Sequence, residues 1–422
     1  MKLIRIGICA LVVFGVASHG AVEDWARAVL EIGAGLLFLV WAVRACLTRE
    51  LQLVVSPLLL PLAFLLLIVL GQLVFHGTAS SYDTRMELQL LLADVLILFV
   101  AGQAFRTIED WRAFVWFGMS FGFLVAIFGI LQHLTFNGKL YWLREMHFGG
   151  IPFGPYVNRN HFAGFAELVI PISLVPLILG KVRRERWFVV SLFAVIPIGA
   201  LVLSASRGGI VSFAVEFGVL VLWLLLRRTT REHLLSAGAV FLLAFLLVSW
   251  LGVQQAVERF SSLQALEVTV GKRASMRADT WRIFLDHPWT GAGLGTLQIV
   301  FPRYETLYDG KIVNHTHNDY LEGLAETGVA GGLCCGWFLG ILLLESLRRL
   351  SQPSSAFAST LQLSALVACL GFLTHSLVDF NLHIPANALL FFLMANMATT
   401  EIQQGTPSIP KSEHIHHKRR NH

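Results

Sequence analysis

The segment 315–322, His-Thr-His-Asn-Asp-Tyr-Leu-Glu, holds the densest group of reactive side chains in the sequence. Imidazole accepts a proton near neutral pH, so His315 or His317 suits a general base that activates a hydroxyl group. The alternative is a helix start at a membrane boundary, in which Asn318 caps the helix and Tyr320 lies among the lipid headgroups. This alternative does not require two histidines separated by one residue, and both interpretations stay open at this point.

A short turn between two apolar segments contains a second candidate, Arg207, within the run Ser-Ala-Ser-Arg-Gly-Gly at 204–209. A guanidinium group at a membrane helix boundary costs roughly 3 kcal/mol unless it is paired or solvated. Its functional interpretation is a fixed fork for a phosphate or diphosphate, because a planar guanidinium makes bidentate contacts that an ammonium cannot. The alternative is an arginine that extends to the headgroups while the two glycines make the turn.

A third candidate group is Arg273, Arg277 and Trp281, which are spaced by four residues. This spacing places them on one face if the stretch is helical. We expect Trp281 to bury against the membrane helices and to direct Arg277 inward. Solvated surface arginines are the alternative.

Two further polar groups lie near the ends of apolar segments. They are Asn158, Arg159, Asn160 and His161 with Glu167, and His375, Asp379, Asn381 and His383. In the first group, Arg159 and Glu167 can simply neutralise each other, which is its structural alternative. Together with the three candidates above, these groups predict a cationic cavity that contains histidines. His414, His416 and His417 near the C-terminus can bind a metal opportunistically, but we expect no functional metal site.

The elements that must position these residues are membrane helices. Hydrophobic residues make up 55% of the 422 residues and charged residues only 14%, which excludes an ordinary soluble enzyme. Apolar stretches near twenty residues, long enough to cross about 30 Å of hydrocarbon, recur along the chain. They predict an all-α, polytopic helical bundle of about twelve transmembrane helices, at 4–20, 25–43, 51–74, 86–104, 112–134, 161–180, 187–203, 208–226, 234–252, 329–347, 357–378 and 384–400.

The distribution of lysine and arginine predicts the orientation, because cationic loops stay in the cytoplasm. With the N-terminus inside, most of these residues fall on inner segments. The short outer loops then hold only Arg85, Lys139, Arg144, Arg159 and Arg207, with Arg27 added if the second span starts late. Both termini are therefore expected inside, and all five polar groups outside. The net charge of +5 reflects this topology, and we expect no nucleic-acid partner.

The predicted organisation is one membrane domain over residues 1–400, with a polar outer segment at 253–328 and a basic cytoplasmic tail at 401–422. In the outer segment, Val253–Leu266 is amphipathic and Ala274–Leu285 continues as a helix up to Pro288. The glycine-rich run 287–295 is a poor dinucleotide signal, because no strand precedes it. The first span can alternatively be a signal peptide, whose removal leaves every later orientation unchanged.

With those residues in view, the chain resembles the O-antigen ligase family of bacterial membrane glycan ligases and related polysaccharide polymerases. The family's ligase signature is matched by His317, Asn318, Gly328 and Gly331. Its outer-turn arginine is matched by Arg207. Further similarities are Arg277 with Trp281, the element Asn160-His161-Phe162-Ala163 and the element Asp379-Phe380-Asn381.

The resemblance implies a GT-C-like bundle in the bacterial inner membrane with a large periplasmic segment between late helices. It also implies transfer of a glycan from an undecaprenyl-diphosphate carrier to an acceptor sugar, without a nucleotide donor, a cofactor or a required metal. His317, Arg207 and Arg277 are the implied catalytic residues. The residues expected to bind substrate are His315, Asn318, Arg159, Asn160, His161, Arg273, Trp281, Asp379 and Asn381.

Three functions remain open at this stage. A ligase uses lipid A–core or another glycolipid as acceptor, whereas a polymerase uses a second carrier-linked glycan; the shared motifs do not separate them, although we favour the ligase. A transporter or flippase is the alternative from another class. It predicts a midplane site built from broken helices in paired repeats. The sequence has no such repeat, and its polar groups lie at the outer boundary.

Overall fold

The computed structural model describes residues 1–49, 53–145, 151–227, 231–251, 263–308, 310–352 and 354–403. This part of the chain is an all-α bundle, as predicted. Its helices are α1 Lys2–Ala17, α2 Asp24–Thr48, α3 Leu59–Val74, α4 Ser81–Ala104, α5 Ile108–Leu134, α6 Arg159–Ile178, α7 Arg184–Leu203, α8 Arg207–Leu226, α9 Arg231–Leu251, α10 Leu263–Asp286, α11 Leu297–Val300, α12 Asp319–Ser351, α13 Ala356–His375 and α14 Pro385–Thr399.

The remaining regular structure is short. Two-residue strands, β1 Lys139–Leu140 and β2 Arg144–Glu145, pair antiparallel, with Lys139 opposite Glu145. Single 3-10 turns occupy Phe301–Arg303 and Asn381–His383. Most of the amphipathic stretch expected at Val253–Leu266 and most of the tail, including its three histidines, lie outside the described residues.

Each of the twelve predicted apolar segments coincides with a helix. Among the described residues, eight helices are long and apolar enough to cross a membrane, namely α2, α4, α5, α6, α7, α8, α12 and α13. Three shorter apolar stretches add to them, in α3, α9 and α14. The chain is therefore a multi-pass membrane protein, and the predicted fold class is confirmed.

Two helix boundaries differ from the prediction more than the others do. In the described part of the span expected from residue 51, the helix begins only at Leu59, because Pro57 disfavours helical backbone at Ser56 before it. In the other direction, α12 begins at Asp319, ten residues before the expected span, and continues through a break at Gly328.

The centre of the bundle consists of α6 and α14. In α6, 94% of the apolar window is buried, and every residue of α14 is buried. Helices that are apolar on all sides occupy the interior of a bundle. By contrast, only 11% of the α2 window is buried, which leaves its apolar surface for lipid. The central helices begin at the same end of the bundle, and the turn from α13 into α14 lies there too.

The glycine-rich turn after α10 attaches that helix to the break in α12. At Gly328 the backbone has φ 64° and ψ −167°, so the helix is interrupted there. Carbonyl groups next to the break find partners in the turn: Ala292 N donates to Ala325 O at 2.9 Å, and Gly293 N donates to Glu326 O at 3.0 Å. The turn thus satisfies backbone groups that the break leaves without helical partners.

The side chain of Gln72 in α3 also connects the glycine-rich turn with α12. Its Nε2 donates to Thr290 O at 2.6 Å and to Glu326 O at 2.8 Å, and its Oε1 accepts from Leu294 N at 3.1 Å. Gly291 has φ 73°, and a Cβ there would lie 2.1 Å from the carbonyl carbon of Glu326. Only glycine fits this contact, so the turn fixes the position of α12 relative to α3.

Candidate active site

Polar groups that are distant in sequence meet at one end of the bundle, which we call the site end. They come from the first residues of α6, α8 and α12, from the segment 315–318 before α12, and from the turn 376–384 between α13 and α14. Helix α10 contributes two arginines from the side. Because these helices end at the same side of the bundle, their terminal residues lie near one another, and the loops bring them into contact.

Asp379 is the centre of this arrangement and is only 1% exposed. Its Oδ1 lies 3.2 Å from His317 Nδ1, and its Oδ2 accepts a hydrogen bond from Asn160 Nδ2. Arg273 Nη2 lies 3.9 Å from Oδ2. Asn160 in turn accepts a hydrogen bond from Ser206 Oγ at 2.9 Å. One carboxylate therefore joins α6, α8, α10 and the segment that carries His317.

The charge of Asp379 defines the tautomer of His317. Burial raises the pKa of the Asp379 carboxyl, but the hydrogen bond from His317 and the charges of nearby histidines outweigh burial and hold the pKa below its usual value. An ionised carboxylate only accepts hydrogen bonds, so the network assigns the proton to His317 Nδ1. Among the described residues, His317 Nε2 makes no hydrogen bond, and the side chain is 25% exposed. Nε2 can therefore accept a proton.

The backbone at His317 is strained. Its φ is 53°, in the left-handed region that a residue with a Cβ rarely adopts. Such strain persists only where the surroundings hold it, and it concentrates at functional sites. Here Arg277 Nη2 lies 3.5 Å from His317 O and 3.3 Å from Leu377 O, while Asn318 Oδ1 accepts from Leu321 N at 2.9 Å and caps α12.

The arginines of α10 contact the loops of the site end, but Trp281 does not follow them. Arg273 Nη1 donates to Val378 O at 2.8 Å, next to Asp379. Trp281 is 46% exposed, and its ring packs on Phe284 with centroids 4.9 Å apart. The expected burial of Trp281 is therefore wrong. Trp281 follows Arg277 by four residues, which is about 6 Å along the helix axis. It therefore lies beyond the loops that the arginines contact.

Arg207 is the first residue of α8 and is partly buried. The cap of this helix is Ser206, whose Oγ accepts from Gly209 N at 3.2 Å while donating to Asn160. A Cβ at Gly208 would lie 2.6 Å from His375 Nε2, so glycine is needed for the close approach of α13. The turn that carries Arg207 is thus fixed directly to the Asp379 network.

A second group of histidines and carboxylates lies beside the first. His315 Nδ1 is 2.7 Å from Glu322 Oε1, and His383 Nδ1 is 2.8 Å from Asp319 Oδ1. His383 Nε2 lies 3.4 Å from Glu322 Oε1, and Glu322 Oε2 accepts from Thr316 N at 2.9 Å. Sequence reasoning placed Glu322 and His383 in two separate polar groups, and nothing in their spacing indicated that they meet.

In the described part of the chain, His315, Glu322 and His383 form a group that could hold a metal ion, with ligand atoms within 4.8 Å of one another. Two imidazoles and a carboxylate are a donor set that zinc accepts. These groups are already joined to one another by hydrogen bonds and short ionic contacts, however. The expectation that the reaction needs no metal stays a prediction.

Phe380 was missed as a site residue by sequence reasoning. Its ring stacks on His315 with centroids 4.3 Å apart, and it lies 5.0 Å from the ring of His317 and 4.8 Å from that of His161. Phe380 thus separates three imidazoles and sets the distance between them. The available signal was its position directly after Asp379.

Two of the expected substrate-binding residues are buried below the site. His161 is 4% exposed, and its carbonyl oxygen accepts from Asn387 Nδ2 at 2.9 Å. Asn381 is 0% exposed and shares that amide at 3.4 Å. A Cβ at Gly164 would lie 2.4 Å from Asn381 Oδ1, which explains the glycine in α6. These side chains act on the site through their neighbours.

The alternative in which Arg159 neutralises Glu167 is wrong. Glu167 Oε1 instead lies 2.9 Å from His375 Nδ1, and both side chains are fully buried between α6 and α13. Arg159 is partly buried at the start of α6, where its backbone N donates to Ile151 O at 2.8 Å. Its guanidinium charge therefore remains at the site end, apart from the Glu167 carboxylate.

Comparison with protein families gives one match. The model of the O-antigen ligase family matches residues 168–336. This segment of the chain belongs to the O-antigen ligase family. The match runs from α6 into α12 and includes Arg207, Arg277 and the signature residues His317 and Gly331, whereas Asp379 lies outside it. A search of curated proteins found no match.

The group formed by His315, Asp319, Glu322 and His383 predicts how the stability of the protein depends on pH. Burial lowers the pKa of His383, but Glu322 and Asp319 outweigh burial and raise it well above its usual value. A raised histidine pKa contributes stability that is complete below the unfolded-state pKa of about 6.5 and is lost as pH rises through the folded-state pKa. We expect the Tm of the purified protein to fall as pH rises above neutral, and the fall to be smaller in His383→Gln, which cannot titrate. Equal slopes in thermal unfolding from pH 6 to 10 would contradict this assignment.

Proposed function

We propose that this protein transfers a glycan from undecaprenyl diphosphate to an acceptor sugar, at the periplasmic face of the bacterial inner membrane. The observation that carries the proposal is the pair of His317 and Asp379, set between the arginine-bearing turn of α8 and the arginines of α10. The family match supports glycan transfer as the reaction class. The positive-inside distribution of lysine and arginine supports the periplasmic orientation.

On the acceptor side, His317 is the proposed base. Its Nε2 takes the proton of the acceptor hydroxyl as the oxygen attacks the anomeric carbon of the donor sugar. The new carbon–oxygen bond forms while the bond to the phosphate oxygen breaks, and the electron pair leaves with undecaprenyl diphosphate. Direct displacement inverts the anomeric carbon and needs neither a covalent intermediate nor a metal. Asp379 stabilises the imidazolium that forms.

On the donor side, Arg207 and Arg277 are the proposed diphosphate ligands. A diphosphate diester carries about two negative charges, and guanidinium groups stabilise the further charge that develops as the bond breaks. Arg277 Nε is buried and has no hydrogen-bond partner among the described residues, so a donor group remains available there. Buried donors are normally paired, and an unpaired one at this position supports binding of an anion.

The other proposed substrate-binding residues divide by exposure. His315, Arg159 and Asn318 have partly exposed side chains at the site end and are proposed to contact sugars, whereas the exposed Trp281 lies beyond the site end and is proposed to contact a more distant part of the glycan or lipid. The remaining members either belong to the Asp379 network or are buried below the site, and we propose that they support the reacting groups; they are Asn160, His161, Arg273, Asp379 and Asn381. An exposed aromatic ring such as Trp281 offers an apolar face with a polar edge, which suits a sugar ring.

The proposed function has two forms, which differ in the identity of the acceptor. A ligase transfers the glycan to lipid A–core or a similar glycolipid, and we favour this form. A repeat-unit polymerase of the same family transfers it to a second carrier-linked glycan. Both use the same base and the same diphosphate ligands, so the site supports them equally. The partners are in either case membrane lipids and lipid-linked glycans.

The function of the His317–Asp379 pair is tested by comparing how much glycan transfer two single variants lose. We expect His317→Ala to reduce transfer by about 10²–10⁴-fold, the usual contribution of a general base. Asp379→Asn keeps an acceptor oxygen for His317 but removes the charge, which costs about 1.5–3 kcal/mol, or roughly 10- to 100-fold. The double variant should be no slower than His317→Ala, because the two residues act as one unit. Transfer is measured with purified protein and a carrier-linked glycan.

The matched control is His287→Ala, which removes an exposed histidine from the same outer segment. Its activity should equal that of the wild type. Normal transfer by His317→Ala, with normal expression and elution in detergent, would remove His317 from the mechanism. Fully additive effects in the double variant would separate Asp379 from the function of His317.

Conservative replacement of the arginines tests the diphosphate ligands. Arg207→Lys and Arg277→Lys keep the charge but lose the planar fork, so the KM for the carrier-linked donor should rise and kcat should fall, together by about 10-fold or more. Arg282→Lys is the control, since Arg282 is 56% exposed on the same helix as Arg277. Wild-type kinetics in both variants would exclude bidentate diphosphate binding.

Deletion in the native bacterium separates ligase from polymerase. Loss of long glycans from the lipid anchor, together with accumulation of carrier-linked polymer, identifies a ligase. Accumulation of single carrier-linked repeat units identifies a polymerase. The positive control is the deletion strain supplied with the wild-type gene in trans, which should restore the glycan profile. The same gene with His317→Ala should not restore it, whether the protein is a ligase or a polymerase. An unchanged glycan profile after deletion would contradict both forms.

A further inference from the structure

A group of histidines and carboxylates lies beside the Asp379 network, and the proposed proton transfer and diphosphate binding do not use it. His315 comes from the segment before α12, Glu322 from the first turn of that helix, and His383 from the turn before α14. Their candidate ligand atoms all lie within 4.8 Å of one another. Three groups from separate parts of the chain therefore face one small volume.

The separations between these atoms suit a tetrahedral metal ion. His315 Nδ1 and His383 Nε2 face the same oxygen, Glu322 Oε1, at 2.7 and 3.4 Å. Zinc bonds of about 2.0–2.1 Å to nitrogen and oxygen place tetrahedral ligand atoms roughly 3.4 Å apart. An ion among the three atoms would lengthen the contact between His315 and Glu322 by less than about 1 Å.

His383 has the support that metal-binding histidines usually have. A histidine ligand normally donates its second ring N–H to a carboxylate or carbonyl group, which fixes the tautomer and the orientation of the ring. His383 Nδ1 lies 2.8 Å from Asp319 Oδ1, while Asp319 Oδ2 accepts from Leu382 N at 3.1 Å. Asp319 therefore holds the Nδ1 proton of His383 and leaves the lone pair on Nε2, which faces Glu322.

The other two candidate ligands are also held in position. Glu322 is 1% exposed, and its Oε2 accepts from Thr316 N at 2.9 Å, which leaves Oε1 directed at the two imidazoles. The ring of His315 stacks on Phe380 with centroids 4.3 Å apart. Ligands that are fixed before binding lose less conformational freedom when the ion binds, so this arrangement favours binding.

Glu326 points independently to a cation at this place. Its side chain is 2% exposed and its Oε1 accepts from Leu297 N at 2.9 Å, but its Oε2 has no hydrogen-bond partner among the described residues. Glu326 interacts electrostatically with Glu322 and His383. Buried carboxylate oxygens are normally paired, so an unpaired one beside this group supports a bound cation.

We propose that His315, Glu322 and His383 bind one divalent transition-metal ion, for which zinc is the best fit. Imidazole nitrogen favours zinc and related metals, whereas Mg²⁺ and Ca²⁺ favour sites built from oxygen ligands. The carboxylates of Glu322 and Asp319 supply two negative charges that balance the ion. His315 binds it through Nδ1, which leaves Nε2 for the substrate contact proposed above.

The proposed ion is a structural link and takes no part in the transfer step. His317 is not one of its ligands, and the ring of Phe380 contacts both His315 and His317. The ion joins the segment before α12, the first turn of α12 and the turn before α14. His317 follows His315 by two residues, so the ion also holds the loop whose backbone is strained at His317. Binding to the folded state alone raises stability by mass action.

Zinc binding to the full-length protein tests the proposal. The background protein carries no polyhistidine tag and has His414→Ala, His416→Ala and His417→Ala, because the histidines of the tail can bind metal opportunistically. Metal is removed with a chelator, and zinc is then titrated in competition with a chromophoric chelator of known affinity. We expect one zinc ion to bind per chain and the Tm to rise with the zinc concentration. An excess of Mg²⁺ should not displace the zinc.

Variants of the ligands and of their support should weaken zinc binding to different extents. Asp319→Asn keeps all three ligands but removes the charge behind His383, and it should weaken binding by about 10- to 100-fold, the usual effect of such a partner. Glu322→Gln and His383→Gln each remove a ligand and should weaken binding further. The control is His287→Ala, which removes an exposed histidine of the same outer segment and should bind zinc as the background protein does.

The zinc ligands are identified by X-ray absorption spectroscopy, in which we expect two imidazoles and no sulfur. Sulfur coordination would assign the ion to cysteines such as Cys334 and Cys335 and would overturn the proposal. Less than one zinc ion per background chain, unchanged affinity in both ligand variants, or equal loss in His287→Ala would also overturn it. If a ligand variant fails to elute as a folded protein, Asp319→Asn decides.

Transfer activity is not used as a readout, so the result for the metal site and the result for the proposed function are independent. The dependence of Tm on pH that is predicted above for His383 concerns the metal-free protein, and it is therefore measured in the presence of chelator.

Discussion

The buried carboxylate of Asp379 is the constraint on which the site end depends. A buried charge costs several kcal/mol unless it is paired and its oxygens are hydrogen-bonded. Here the oxygens accept from His317, from Asn160 and from the backbone N of Phe380, with Arg273 nearby. Each partner comes from a different part of the chain or stabilises a different loop. Four segments must therefore adopt their final positions together before the charge is tolerated.

Much of this convergence was predictable because a membrane restricts where helix ends lie. Segments of about twenty apolar residues, alternating in direction, put every second connection on the same side. Asn160, Arg207, His317 and Asp379 all lie at such connections, so the sequence alone predicts a shared polar end. The bundle, the helix at Ala274–Leu285 and its end before Pro288 were predictable for the same reason: apolar periodicity and proline are local signals.

The pairings within that end were not predictable. Glu167 contacts His375 and not Arg159, and Trp281 lies outside the site although it shares a helix face with Arg277. Both depend on how far each helix advances beyond its neighbours, which hydrophobic patterns do not encode. The left-handed backbone at His317 is a further example, because tertiary contacts stabilise it against local preference. Boundary loops thus decide contacts that apolar periodicity leaves open.

The break in α12 explains why a glycine stands at position 328. In a straight helix, the residues from Asn318 to Glu322 would point in a different direction. The carboxylate of Glu322, which contacts His315 and His383, would then lie elsewhere. The positive φ at Gly328 changes that direction, and a Cβ there would lie 2.4 Å from the backbone of Trp289. A break inside a membrane helix is tolerated only where protein groups satisfy the released backbone. The glycine-rich turn provides them, so the shape of α12 and the position of His317, the proposed base, depend on the same junction.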